Sequence, residues 1–360
     1  MLRACAALLT VALAGTAFAQ YGYAPFFDQP LVQNRGYGLE LVLQRLRIVD
    51  AFPAPLNDEL KEQVEEMLDS DVKRFVGTLE QRDAQLAADL LEALAELTEL
   101  VDSGEDASAA TQAARELVWR AYDVVVHPDI WRSPAYIGGL IADLTLGEGG
   151  VAEGYEEAAD GGEDLWVFTS GWSALQRVNK LWAELLDVAN AQQRADVEEM
   201  LVILNDLYPQ AQPPEAITGS PEEAEAPVQR MLGVIEAVTD AELFAGRDLK
   251  ELAGHLATEA AGTCALYRAG NDAVALEGMF AIGELYVRYL ADFLDFMVPE
   301  VHEEAYEVIN GITGLESESA EDDDHDEDED EEALALDGDL AGSCMELQEA
   351  LEEAFVALGG

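Results

Sequence analysis

The chain has 360 residues, of which 49% are hydrophobic, and its 74 Asp and Glu against 19 Lys and Arg give a formal net charge of −55. The hydrophobic share excludes a polyanionic coil, because it is large enough to bury a sizeable core. The charge excludes nucleic acids and anionic membranes as partners, since both require basic patches, and it favours cations, basic partners or halophilic adaptation.

Residues 1–19 have the three parts of a removable signal peptide. Arg3 supplies the positive n-region, Ala6 to Ala14 form the apolar segment, and Ala17-Phe18-Ala19 places small residues at the cleavage site. The apolar segment is shorter than the ~20 residues that a membrane-spanning helix requires. The sequence therefore predicts cleavage after Ala19, a periplasmic or secreted location, and no transmembrane helix in the mature chain.

Two cysteines remain once Cys5 leaves with the signal peptide. Cys264 and Cys344 would most simply form one disulfide in an oxidising compartment, and it would join the C-terminal helix to the body of the protein. The alternative is a pair of free buried thiols.

Apolar residues recur at helical spacing along most of the chain. This pattern begins at Leu39, Asn57 is placed to cap the second helix, and no alternating run of strand length stands out. A Gly- and acid-rich stretch then divides the helices into two groups of antiparallel, up-and-down helices. The predicted order is a signal peptide (1–19), an irregular N-terminal segment (20–38), a first helical bundle (39–146), a linker (147–170), a second helical bundle (171–314), an acidic disordered loop (315–338) and a C-terminal helix (339–360).

The two predicted bundles share short sequence matches in the same order. Leu43-Gln44-Arg45 matches Leu175-Gln176-Arg177, and the segment 64–68 recurs as 197–201. A five-residue match between helices rich in Ala, Leu and Glu also arises by chance. The ordered series favours a tandem duplication, so the predicted fold is all-α with two duplicated helical bundles.

One strongly apolar segment of the second bundle carries a stripe of charge. Glu277, Glu284, Arg288, Asp292 and Asp295 lie near one helix face, and two pairs among them have the i,i+4 spacing of ion-pair partners. The pattern is typical of a polar stripe on a core helix of a bundle. A buried, functional stripe of carboxylates is the alternative.

A histidine flanked by two glutamates is the best local candidate for a metal site. Glu251, His255 and Glu259 have i,i+4,i+8 spacing, which aligns an imidazole between two carboxylates on one helix face. Such a face can bind a transition metal if a second helix contributes a ligand. In so acidic a chain, the same triplet is also typical of a solvated helix face.

The acidic run at residues 316–332 offers a second cation candidate. Asp326, Asp328 and Asp330 occupy the first, third and fifth positions of a calcium loop, but Glu331 stands where that loop has glycine. Loose binding of hard cations is therefore one interpretation. A self-repelling loop is the other.

Linear motifs of catalysis and cofactor binding are absent from the sequence. We therefore assign no catalytic or cofactor-binding residues and predict a non-enzymatic binding or interaction module for an unknown protein or cation. The alternative is a periplasmic metal-handling protein that binds iron or calcium, a divalent or ferric cation, as an accessory to a transporter. An enzyme built from carboxylates distant in sequence is the third hypothesis.

Overall fold

A computed structural model describes residues 30–147, 149–159, 167–217, 219–220, 222–241, 243, 249–315 and 340–360. All regular structure within these ranges is helical, which confirms the predicted all-α class. No helix in them is long and apolar enough to cross a membrane. The predicted signal peptide and residues 316–338 of the predicted acidic loop lie outside the described residues.

The first part of the chain encloses one hydrophobic core, which runs from Tyr37 to Leu243. A 3₁₀ turn at Asp71–Arg74 also packs there. The α-helices of this part are α1 (Pro30–Ala51), α2 (Asp58–Asp69), α3 (Val76–Arg82), α4 (Ala84–Ser103), α5 (Ser108–Val125), α6 (Pro128–Trp131), α7 (Pro134–Leu146), α8 (Glu153–Ala159), α9 (Val167–Leu185), α10 (Ala191–Leu207) and α11 (Glu222–Thr239).

The remaining helices enclose a second core, which runs from Leu252 to Ala354. Buried residues on both sides of the predicted linker belong to the first core, whereas the two cores divide between Leu243 and Leu252. The predicted domain ranges themselves stay a prediction. The helices of the second core are α12 (Leu249–Arg268), α13 (Asp272–Tyr289), α14 (Ala291–Met297), α15 (Pro299–Thr313) and α16 (Leu340–Ala357).

Helix α1 is central and packs against α2, α5, α7, α9, α13 and the 3₁₀ turn. It begins at Pro30, so the irregular conformation predicted for residues 30–38 is corrected to helix. The physical reason is tertiary: the glycines that weaken a helix in isolation allow close contacts here. A Cβ on Gly38 would lie 2.7 Å from the Arg74 Cβ and 2.8 Å from the Asp71 carbonyl oxygen.

The predicted linker contains a helix as well. Helix α8 buries Tyr155 and Ala158 in the first core and packs against α9.

The N-terminus of α2 has the cap that the sequence predicts. The Asn57 side chain accepts a hydrogen bond from the Leu60 amide at 3.0 Å. That contact confirms the predicted N-cap of α2.

Candidate functional site

The two cores meet where α13 packs against α1, the 3₁₀ turn and α3. Glu277 of α13 is fully buried there, and its carboxylate accepts from Arg35 Nε at 2.7 Å. It also accepts from the amide and the hydroxyl of Thr78, at 2.6 and 2.7 Å. Asn34 Nδ2 donates to the Glu277 carbonyl oxygen at 3.3 Å. Burial raises the pKa of Glu277, and Arg35 opposes that shift.

A second set of contacts continues from the same face of α13. Arg74 Nη1 and Arg288 Nη2 donate to the two oxygens of Glu284, at 2.5 and 3.1 Å. Arg288 Nη1 donates to Asp143 at 2.9 Å, and Gln33 Nε2 donates to the other oxygen of Asp143 at 2.7 Å. Burial raises the pKa of Asp143, and Arg288 opposes the shift. The predicted i,i+4 pair Glu284–Arg288 is therefore formed.

We call these side chains the interface network, and five of them line a small cavity of about 20 Å³: Gln33, Asn34, Asp143, Glu284 and Arg288. A cavity of this volume holds about one water molecule, so it is too small for a substrate. The stripe predicted on this helix divides, because Asp292 and Asp295 are exposed on α14. The interface network comprises Gln33, Asn34, Arg35, Arg74, Thr78, Asp143, Glu277, Glu284 and Arg288.

The predicted transition-metal ligands lie on successive turns of α12. Glu251 is exposed, and His255 and Glu259 are half-buried. Within the described ranges, no group of three or more His, Cys, Asp or Glu side chains is arranged to bind a metal ion. The metal assignment of this triplet stays a prediction. The predicted calcium ligands, Asp326, Asp328 and Asp330, lie outside the described residues.

Cys264 of α12 and Cys344 of α16 are both fully buried. Their Cα atoms are 5.5 Å apart and their sulfur atoms are at bonding distance, which confirms the pairing expected from the sequence. The pair lies at the interface of two extensively packed helices. It therefore joins the C-terminal helix to the body of the second core.

An open groove of about 710 Å³ lies between α15 and α16. Val301, Val356 and Ala357 provide its apolar surface, and Val356 is 65% exposed. The sequence does not reveal this groove, because the acids of α16 are typical of a solvated face. The one local sign is a valine, Val356, that follows the acids on this helix. We call this feature the acidic groove; its remaining lining residues are Glu349, Glu352 and Glu353.

A neighbouring helix also exposes large apolar side chains. Helix α14 packs against α15, and its Phe296 and Met297 are 84% and 51% exposed. Large exposed apolar side chains that lie close together are typical of interaction surfaces. The second core thus carries several exposed apolar side chains besides Val356.

The fold and the sites define an all-α protein with two hydrophobic cores, a buried ion-pair network between them and an open acidic groove. Comparisons of the chain with protein-family models, with curated proteins and with solved structures found no match.

Proposed function

We propose that this chain is an exported, non-enzymatic binding protein whose acidic groove takes a basic, amphipathic segment of a protein partner. The observation that carries the proposal is the combination of apolar side chains and three glutamates along one open groove. Amphipathic helices bind such grooves through apolar residues at i, i+3, i+4 and i+7. Lys and Arg on the flanks of that helix would complement the charge of the three glutamates.

The three glutamates of the groove are available to form ion pairs with such a partner. Glu349, Glu352 and Glu353 are exposed, and none of them forms an ion pair with the part of the chain that the structure describes. Burial of the Val356 side chain would contribute about 1.5 kcal/mol to binding, because it is now largely in contact with water. Charge would guide the encounter, and apolar contact would supply affinity.

Fluorescence anisotropy with a synthetic Leu/Lys amphipathic helix tests the proposal. We expect Val356→Asp to weaken binding about tenfold or more, since it removes apolar contact and adds a repelled charge to the groove. Val202→Asp is the matched control, because Val202 of α10 is 61% exposed and lies on the first core. It adds the same charge away from the groove.

Two results would contradict the proposal. One is equal weakening by Val356→Asp and Val202→Asp, which would mean that the peptide responds only to net charge. The other is equal binding of a Leu/Glu helix of the same design.

Export is the second part of the proposal. Its support is the signal-peptide pattern of residues 1–19 and the buried cysteine pair, which suits an oxidising compartment. N-terminal sequencing of the protein from its native source should find Gln20 first. An intact Met1 or a cytoplasmic pool would contradict export.

We also propose that the two predicted bundles arose by tandem duplication. The ordered matches between residues 43–68 and 175–201 support this origin. Superposition of residues 39–146 on residues 172–297 tests it, and a different helix order in the two segments would refute it.

A further inference from the structure

A cluster of basic residues lies where α5 and α9 pack on α1. It consists of Arg47 on α1, Arg115 on α5, and Arg177 and Lys180 on α9, which we call the basic cluster. These are four of only 19 Lys and Arg in a chain of net charge −55. Such a concentration of cations on one part of an acidic protein requires a physical reason.

Hydrogen bonds hold the cluster together. Arg47 Nε donates to the Ser173 hydroxyl at 3.1 Å, and Ser173 lies one turn before Arg177. Arg115 Nη2 donates to the carbonyl oxygen of Leu46 at 3.3 Å. The guanidinium groups of three helices are thereby brought to one place.

Nearby carboxylates neutralise only part of the cluster. Glu40 is fully buried and binds Arg177 through both oxygens, at 2.8 and 2.7 Å. Asp50 accepts from Arg115 at 2.5 Å, and the half-exposed Glu184 lies 3.9 Å from Arg177. These acids are therefore committed to two of the four cations.

The other two cations have unused hydrogen-bonding capacity. Arg47 Nη2 is buried and has no hydrogen-bond partner, and Lys180 is exposed and makes no ion pair within the described residues. A buried donor without a partner is costly. Burial lowers the pKa of Arg47 to about 10; Glu40 opposes this shift, and Arg177 and Arg115 add to it. Burial and then Arg47 lower the pKa of Lys180.

An exposed aromatic ring completes the surface. Trp119 of α5 is 40% exposed, and the Arg177 guanidinium lies 5.5 Å from the centre of its ring. The ring offers an apolar platform beside the cations. The arrangement therefore combines uncompensated positive charge, an orphaned donor and a flat apolar surface.

We propose that Arg47 and Lys180 form a binding site for a small oxyanion, a carboxylate or a phosphate, beside the Arg177–Trp119 pair. A bound oxyanion would neutralise the positive charge that Glu40, Asp50 and Glu184 leave over, and a rotation of the Arg47 side chain would let its Nη2 donate to the ligand. The exposed Lys180 side chain would reach over the ligand from α9. Arg and Lys are the donors that proteins use for such anions.

Isothermal titration calorimetry with inorganic phosphate, and separately with citrate, tests this site at constant ionic strength. We expect saturable one-site binding of at least one probe to the full chain. Lys180→Gln and Arg47→Met should each weaken it about tenfold, because each removes a charge-assisted hydrogen bond. The control is Arg230→Gln on α11, which removes one exposed positive charge outside the cluster and should leave binding unchanged.

The variants separate binding from folding. Arg47→Met also loses the bond to Ser173. Lys180 is exposed and makes no ion pair with the described residues, so Lys180→Gln tests the site without disturbing the fold. Phosphate binding alone would assign a phosphate ligand, and citrate binding alone a carboxylate. The absence of saturable heat with both probes would overturn the site. Equal weakening by Arg230→Gln and Lys180→Gln would do the same.

Discussion

Glu277 joins the two cores through its hydrogen bonds to α1 and α3. The charged carboxylate receives strong donors there, but it gives up all contact with water. Burial dominates, so the pKa of Glu277 is raised above its ordinary value of 4.5. The native state therefore keeps a proton on this group at a pH where the unfolded chain has released it.

The raised pKa of Glu277 predicts how the free energy of unfolding depends on pH. Stability contributed by the protonated carboxyl is complete below pH 4.5 and is lost as the pH rises through the raised folded pKa. Glutamine cannot ionise, so Glu277→Gln lacks this loss. The free energy of unfolding of the wild type minus that of the variant should therefore fall as the pH rises above 4.5.

Urea denaturation at a series of pH values measures that difference. Glu300→Gln, at an exposed position at the start of α15, controls for the loss of one negative charge. A difference that instead grows with pH would mean that Arg35 outweighs burial. The raised pKa of Glu277 would then be wrong.

Only part of the interface network could be predicted at the scale of residues. Glu284 and Arg288 are four residues apart on one helix, so their pairing follows from helical geometry. The partners Arg74 and Asp143 lie 210 and 145 residues away from them in the chain. No local pattern encodes such contacts, since they depend on how the helices pack.

At the scale of secondary-structure elements, the close packing of α3 against α13 predicts the effect of adding a methyl group between them. A Cβ on Gly77 of α3 would lie 2.7 and 2.8 Å from the backbone carbon and oxygen of Ala273 in α13. Gly262 of α12 is exposed, with open space around its Cβ position. We expect Gly77→Ala to lower the free energy of unfolding by about 1–3 kcal/mol. Gly262→Ala should raise it by about 0.5–1 kcal/mol.

The two substitutions are chemically identical, so each controls for the other. Denaturant titration of both variants and the wild type gives the two signs. A free energy of unfolding that rises in both variants would mean that α3 and α13 do not approach as closely as described.

Elements with a strong apolar period could be predicted, and those defined by tertiary contacts could not. Leu86, Leu90, Leu94 and Leu97 mark α4 clearly, and all four are buried. The start of α1 was missed because its polar residues and glycines resemble a loop until their partners on other helices are known. Helix α8 was missed for the same reason, since glycine and acid surround its buried side chains.

At the scale of the whole molecule, the cysteine pair determines how firmly α16 is held. The pair closes a loop with a sequence separation of 80 residues, so its loss should lower the free energy of unfolding by about 2–4 kcal/mol. Cys344→Ser tests this value, and Met345→Ser at a neighbouring exposed position is the control. Intact mass should increase by two hydrogen atoms on reduction. Unchanged mass and unchanged stability would contradict the bond.

Function is harder to predict than fold because both candidate sites form between helices that are distant in the sequence. Composition and periodicity were sufficient for an all-helical protein with a buried interior. The acidic groove forms only when α15 and α16, separated in sequence by the acidic run, come together. The basic cluster likewise draws on three helices of the first core.

Hydrogen–deuterium exchange of the full chain, with and without the Leu/Lys helix, tests the proposed docking most directly. We predict slower exchange in residues 299–313 and 340–357, the segments that form the acidic groove, and unchanged exchange in α10. Protection spread evenly over acidic surfaces, or confined to the first core, would contradict binding at the groove.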